Sequence, residues 1–326
     1  MPMRVLLVGG AGYIGSHVSI AFLEKGHQVG VFDNLSSGLR TNIHTDAQFF
    51  EGDVLDQQRL SAVCAEGWDA VIHLAAFKAA GESMLSPEKY SINNISGSLN
   101  LMTAAAEHDI HTFVLSSSAA VYGEPEYLPV DEAHPTNPSN YYGFTKLDIE
   151  RNLAWYDQLR GLKYASLRYF NAAGYDPQGR VTGLEKKPAN LIPLVMEVAI
   201  GAREELLVFG DDYNTKDGTG VRDYIHVTDL AEAHVKAAEQ VSASRKSMVV
   251  NLGSETGLSV LEIVESARKI TGSKIPLHIV DRRAGDPAKL VASAKLASQL
   301  LNWKAQYSSA EEIIETTWRV YKKTHG

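Results

Sequence analysis

Val8-Gly9-Gly10-Ala11-Gly12-Tyr13-Ile14-Gly15 decides the fold. Ahead of it, Arg4–Val8 is an apolar run of strand length; behind it, residues 14–25 carry a helical pattern stopped by Gly26. A Gly-x-x-Gly-x-x-Gly turn between a first strand and a first helix allows tight backbone geometry. It also lets a pyrophosphate approach the helix N-terminus, whose partial positive charge favours it. A second strand at 28–32 runs into Asp33. A carboxylate there can bond both hydroxyls of an adenosine ribose and repels a 2′-phosphate, so the expected dinucleotide is NAD rather than NADP. Arg40 nearby pulls the other way, and a surface loop acid is the plain alternative for Asp33.

Outward from this turn, strands are expected at 48–50, 70–74, 112–115 and 165–167, with helices at about 56–65, 88–107 and 141–160. Alternation of this kind gives an α/β fold with a doubly wound parallel Rossmann sheet. The second half is less regular. It carries a Gly/Asp/Thr-rich loop at 210–220 and helical patterns at about 228–241, 258–271 and 309–323. Residues 1–172 are expected to form the NAD-binding domain, joined by elements of about 221–245. Residues 173–326 are expected to form a smaller, mixed α/β C-terminal substrate domain.

Composition narrows the classes of function. With 44% apolar and 21% charged residues, the chain is an ordinary globular one, and its net charge of −8 gives no footprint for nucleic acid. Cys64 is the single cysteine, so no intrachain disulfide or thiol cluster forms, which suits a reducing, cytoplasmic setting. The strand pattern begins at once, leaving no room for a targeting segment, and no apolar run approaches the roughly 20 residues that span a bilayer. The histidines show no metal-binding spacing, and no metal is expected.

Chemistry concentrates in Tyr142-Gly-Phe-Thr-Lys146. A phenol and an ammonium four residues apart share a helix face. A fixed positive charge favours the phenolate, and bringing a pKa of about 10 down to about 7 takes roughly 4 kcal/mol. Lys146 together with a cationic cofactor ring could supply it, making Tyr142 a base for a sugar hydroxyl. A solvated helix pair is the plain alternative. Thr112-Phe-Val-Leu-Ser-Ser-Ser118 is a strand ending in three hydroxyls, and strand carboxyl ends line the ligand crevice of open α/β sheets. Glycine turn, Asp33, strand-end Ser and Tyr-x-x-x-Lys in that order favour the catalytic reading over a simple turn. A Gly-x-Ser-x-Gly elbow is missing, which disfavours a hydrolase. Gly52-Asp53-Val54 follows the third strand; Asp53 could accept from the adenine amino group or cap a turn.

These segments resemble the extended short-chain dehydrogenase/reductase family, and within it the UDP-glucose (UDP-galactose) 4-epimerases. The resemblance runs nearly end to end and rests on Gly9–His17, Asp33–Ser36, Val71–Ser83, Ser116–Gly123, Tyr142–Lys146, Leu167–Asn171 and Gly218–Asp229. One departure is Val8, where the family carries Thr. The resemblance implies Tyr142 as the base, Lys146 as its charge partner and nicotinamide-ribose ligand, and Ser118 as the hydroxyl aligner. It further implies NAD contacts at Gly9, Gly12, Tyr13, Ile14 and Gly15, and at Asp33, Asn34, Leu35, Ser36, Ser37 and Gly38. Asp53, Val54, Leu74, Ala75, Ala76, Phe77, Lys78, Asn94 and Phe170 complete the cofactor set. The UDP-sugar is expected against Asn171, Asn190, Leu191, Leu207, Val208, Phe209, Arg222, Val260, Arg283, Asp286 and Leu290. Arg222 and Arg283 can grip a diphosphate, Phe209 can stack on uracil, and Asp286 can accept from a ribose hydroxyl. The plain alternatives are an Arg222–Asp223 ion pair, a core Phe209 and a solvated Lys78.

The implied reaction is reversible oxidation at C4 of a UDP-hexose through a transient 4-keto sugar. Leu290 stands where some relatives have a bulky Tyr, which opens UDP-GlcNAc and UDP-GalNAc as further substrates. A dehydratase or reductase on the same fold is the rival enzyme, and an NAD-holding sensor the rival without chemistry. A dehydratase wants an acid beside Ser118, where this chain has Ala119-Ala120. A homodimer through helices 88–107 and 141–160 is also implied, with Leu99, Met102, Leu153 and Trp155 either in its interface or in the intrachain core.

Overall fold

Val5–Val8 of the strand Arg4–Val8 (β1) are buried, as a strand covered on both faces requires. The computed structural model describes residues 2–186, 188–283 and 286–325. In chain order its strands are β1, Gln28–Asp33 (β2), Gln48–Glu51 (β3), Ala70–His73 (β4), Thr112–Ser116 (β5), Lys163–Tyr169 (β6) and Asn171–Ala173 (β7). Then come Leu206–Phe209 (β8), Val221–Arg222 (β9), Tyr224–His226 (β10), Met248–Leu252 (β11), Leu258–Ser259 (β12), Leu277–Val280 (β13) and Lys289–Leu290 (β14). Seven of them form one sheet in the order β11-β6-β5-β4-β1-β2-β3, and every pairing in it is parallel. The order reverses between β1 and β4, which opens a crevice at their carboxyl ends.

Helices cover both faces. Tyr13–Glu24 (α1) and the later helix Val227–Ser244 pack on one side around Val18, Phe22, Leu230 and Val241. Gln57–Cys64 (α2), Gly97–Glu107 and Tyr141–Arg160 pack on the other around Leu60, Leu101, Met102 and Leu153. The doubly wound sheet expected from the sequence is thus the observed one. It is completed by β11, a strand that the sequence reading did not anticipate.

The expected helix at 88–107 is three consecutive pieces: Pro87–Tyr90, a wide π turn at Ser91–Ser96, and Gly97–Glu107. Pro87 occupies the first turn, where its missing N–H costs nothing. The wide turn carries Asn94, which is fully buried. Ala80–Leu85 is a further short helix ahead of it. The smaller C-terminal part packs Leu191–Ala199, Val260–Thr271 and Ala310–His325 with the parallel pair β8–β13 around Val195, Ile263 and Ile313. The ribbon β7–β10 continues directly from β6 and links this layer to the main sheet.

Candidate active site

Gly9 and Gly12 build the floor of the crevice in different ways. Gly9 has φ +87°, and a Cβ on it would lie 2.5 Å from the Ala75 nitrogen, so its own backbone and the loop after β4 exclude a side chain. Gly12 caps α1 at φ −74°, and a Cβ there would meet only the Gly9 carbonyl, at 3.4 Å. The bare side of Gly12 faces a cavity of about 510 Å³ and leaves a phosphate-sized approach to the helix N-terminus.

Asp33 ends β2 at the wall of this cavity. Burial pushes its carboxyl up, while the amides of Ala11 (3.0 Å) and Leu35 (2.8 Å) donate to it and hold the charge. Arg40 pairs with Glu51 at 2.8 Å and lies over the Phe49 ring, committed to β3. Arg40 is thus held away by Glu51 and Phe49, and the Asp33 carboxylate at the cavity wall repels a 2′-phosphate, so the cradle fits NAD.

Gly9, Gly12, Tyr13, Ile14 and Gly15 line the cavity together with Asp33, Asn34, Ser36, Ser37 and Val54. Leu74, Ala75, Ala76, Phe77, Lys78 and Phe170 close it from the other strand ends. Four expected cofactor positions stand behind this wall. Leu35 supports Asp33 through its amide, and Gly38 packs against Ala11. Asp53 accepts from the Leu55 amide and from Asn34, a turn role. Asn94 accepts from the Phe77 amide at 2.9 Å and donates to the Phe77 carbonyl and Thr145, so it shapes the Phe77 loop.

Ser118, Tyr142 and Lys146 converge at the inner end of the cavity. The Asn140 side chain caps the long helix by accepting from the Gly143 amide, which sets Tyr142 in the first turn. Burial pushes the Tyr142 phenol up to about 12, opposed by a hydrogen bond with Ser118. Lys146 is buried, and its Nζ donates to the Ser116 carbonyl at 2.8 Å and stands 6.0 Å from the centre of the Tyr142 ring. Burial pulls its ammonium down to about 8, and Glu150 pushes it back up. The expected lowering of Tyr142 toward 7 is not met by the protein's own groups: the phenol's desolvation outweighs them, and the ammonium is aimed at a carbonyl.

A second cavity of about 210 Å³ adjoins the first and gathers ten of the expected substrate positions: Asn171, Asn190, Leu191, Leu207, Val208, Phe209, Arg222, Val260, Arg283 and Asp286. Arg222 pairs with Asp286 at 3.0 Å, while the adjacent Asp223 is fully buried and accepts from the amides of Ser254, Glu255 and Ala292. The Arg283 guanidinium lies 3.7 Å over the Phe209 ring, so both side chains line the cavity and neither is core. Leu290 lines neither cavity; it packs beside the cluster of Tyr122, Phe170 and Ala292. Asn171, Ala172 and Asn190 wall both cavities.

The sequence reading missed several lining residues. Tyr213 lines the second cavity, its hydroxyl buried with no hydrogen-bond partner among the described residues, a lone aromatic in a segment read only as loop. Asn93, Tyr169 and Glu185 line the first, and Glu185 pairs with Lys78. No local motif marks them, since their places depend on the π turn, the end of β6 and the path of 183–186.

The model of the NAD dependent epimerase/dehydratase family matches residues 5–253. A UDP-glucose 4-epimerase of Halalkalibacterium halodurans is 46% identical over 326 residues, covering 99% of this chain and 97% of the relative. The crystal structure of UDP-glucose 4-epimerase from Brucella ovis in complex with NAD superposes with a TM-score of 0.96 at 43% identity, over 98% of each chain. UDP-glucose 4-epimerase from Stenotrophomonas maltophila, with bound NAD and formylated UDP-arabinopyranose, gives 0.95 at 40% identity, over 99% of this chain and 98% of that one. With its glycine cradle, its strand-end Ser and its Tyr–Lys pair in one crevice, and with likeness of this extent, the chain belongs to the NAD dependent epimerase/dehydratase family.

Proposed function

We propose that the chain interconverts UDP-galactose and UDP-glucose by NAD-dependent epimerisation at C4. One observation carries the reading: Ser118, Tyr142 and Lys146 stand in a dinucleotide-sized cavity that shares a wall with a second cavity holding two arginines and an aromatic ring. The near full-length relatives carry the same activity in their names. Arg222 and Arg283 grip the diphosphate, Phe209 stacks on uracil, and Asp286 accepts from the ribose. The UDP end is then held tightly and the hexose loosely. The nicotinamide, when bound, supplies a two-electron acceptor and donor for C4 and a positive charge beside the phenol. Tyr142 takes the proton of the 4-hydroxyl that Ser118 aligns. After the 4-keto sugar has turned, Tyr142 returns that proton to the oxygen, and the opposite C4 epimer leaves. Lys146 holds the nicotinamide ribose and the charge balance of the phenol. Incubation with UDP-galactose without added NAD should yield UDP-glucose; no product, even after NAD is supplied, sinks the reading.

Three finer assignments belong to the same proposal. The NAD-binding domain is residues 1–172 joined by elements of about 221–245, to which β11 adds 248–252, and the UDP-sugar domain is the rest of 173–326. Leu290 pairs with Arg222 across β9–β14 and puts no bulk into either cavity, which supports UDP-GlcNAc as a second substrate. A Leu290→Tyr variant should lose UDP-GlcNAc turnover and keep that of UDP-galactose. The enzyme is a cytoplasmic homodimer. Met102 and Leu153 are core and Leu99 packs against it, but Phe144, Trp155 and Leu159 are exposed. At about 100° per residue they fall within roughly 60° of one another, a stripe on one helix face. A monomer mass at micromolar concentration would remove the dimer. No described helix is long and apolar enough to cross a membrane.

A further inference from the structure

Three consecutive residues at the end of β5 are each held by a residue of the helix Tyr141–Arg160, one turn apart. Ser118 bonds Tyr142, the Ser116 carbonyl accepts from Lys146, and the Ser117 hydroxyl donates to Glu150 at 2.5 Å. Glu150 is 5% exposed and touches no part of either cavity. Its carboxylate is gripped by Arg168 of β6, whose Nε donates at 3.0 Å and Nη2 at 2.5 Å. Arg168 in turn donates to the Tyr122 hydroxyl at 3.0 Å, and Tyr122 donates to Asn251 of β11 at 2.6 Å. The network is buried and spread over four elements, and none of its buried side-chain nitrogens or oxygens is left without a partner.

We propose that Glu150, clamped by Arg168 and Ser117, is a positioning residue for the epimerisation: it stands one helical turn from Lys146, and its bonds fix the strand end that presents Ser118 to Tyr142. The inference rests on the epimerase reading. Among the described residues, Tyr142 and Glu150 share the helix of Lys146 and His73 faces it from β4; around them, Arg168 of β6 holds Glu150, Tyr169 of β6 stands by Tyr142 and Ser116, and His234 reaches Ser116 from the helix Val227–Ser244. His73 and His234 are buried and kept neutral, to about 3 and about 4, and the tyrosines are pushed up. Glu150 is therefore the negative charge that counters the burial of Lys146, which would otherwise discharge it. A neutral Lys146 holds no charge against the phenolate.

The test is the pH profile of kcat for Glu150→Gln and for the double variant Glu150→Gln/Arg168→Met, which leaves no unpaired guanidinium. The alkaline limb should move down by about one pH unit or more in both, with UDP affinity unchanged. A purely structural ion pair predicts that the double variant regains the wild-type limb. That result overturns the proposal, as does failure of both variants to fold. An inactive wild type would sink the epimerase reading instead, so the two failures are distinct.

Discussion

Tyr142 carries a phenol that its own surroundings push up to about 12, in a place where the reaction needs a base. In the proposed reaction, the Lys146 ammonium and the positive charge that an oxidised nicotinamide would supply would together have to offset that cost. Tyr142→Phe should lower kcat by about 10²–10⁴-fold and leave bound NAD in place, measured by turnover and by nucleotide released on denaturation. Normal turnover by the Phe variant would remove Tyr142 as the base. At this scale, the spacing singles out Tyr142, Lys146, Ser118 and Asp33 by position against a strand or helix end, and the structure brings all four to one cavity. Glu150 and Arg168 are not singled out, because their pairing joins a helix to a strand 18 residues later and leaves no periodic trace.

Among elements, the turn between β1 and α1 separates two demands made on glycine. Gly9→Ala puts a methyl 2.5 Å from the Ala75 nitrogen at a positive φ, and should cost about 2 kcal/mol or more of stability, seen in thermal unfolding. Gly12→Ala meets nothing closer than 3.4 Å, so it should fold with near-normal stability and lose cofactor affinity. Equal melting losses in the two variants would contradict this division. Elements buried on both faces were the most legible: β1, β2, β4 and β5 read as unbroken apolar runs. β7, β9, β10, β12 and β14 are two or three residues long and carry no period to read. Leu191–Ala199 is apolar almost throughout, with Pro193 inside it, and offered no alternation that distinguishes helix from strand. The sheet's last strand, β11, is partly exposed at its start and follows a helix directly, so its place depends on β6 being there to pair with.

Across the whole molecule, two buried histidines join the sheet layer to the C-terminal part. His17 donates through Nδ1 to the Tyr13 carbonyl and accepts at Nε2 from the Asp176 amide. His226 accepts at Nδ1 from the Thr228 amide and bonds Thr316 of the last helix. Both arrangements need a neutral ring, and burial lowers the two to about 4 and about 3. Their folded pKa values lie below the unfolded value of about 6.5. Their contribution is therefore complete above that pH and is lost as pH falls toward 4. The melting temperature should drop between pH 6.5 and 4.5, with a shallower drop in His17→Asn; an identical slope would exclude the linkage.

Asn171, Ala172 and Asn190 belong to two walls at once. Whatever factor one ligand adds to the other's affinity through them is returned in equal measure, because coupling between sites is reciprocal. In the proposed reaction, a favourable coupling through that wall would make the uridine end a stopper as well as a handle: while the oxidised sugar turned, the nucleotide carrying it would also hold back the reduced cofactor.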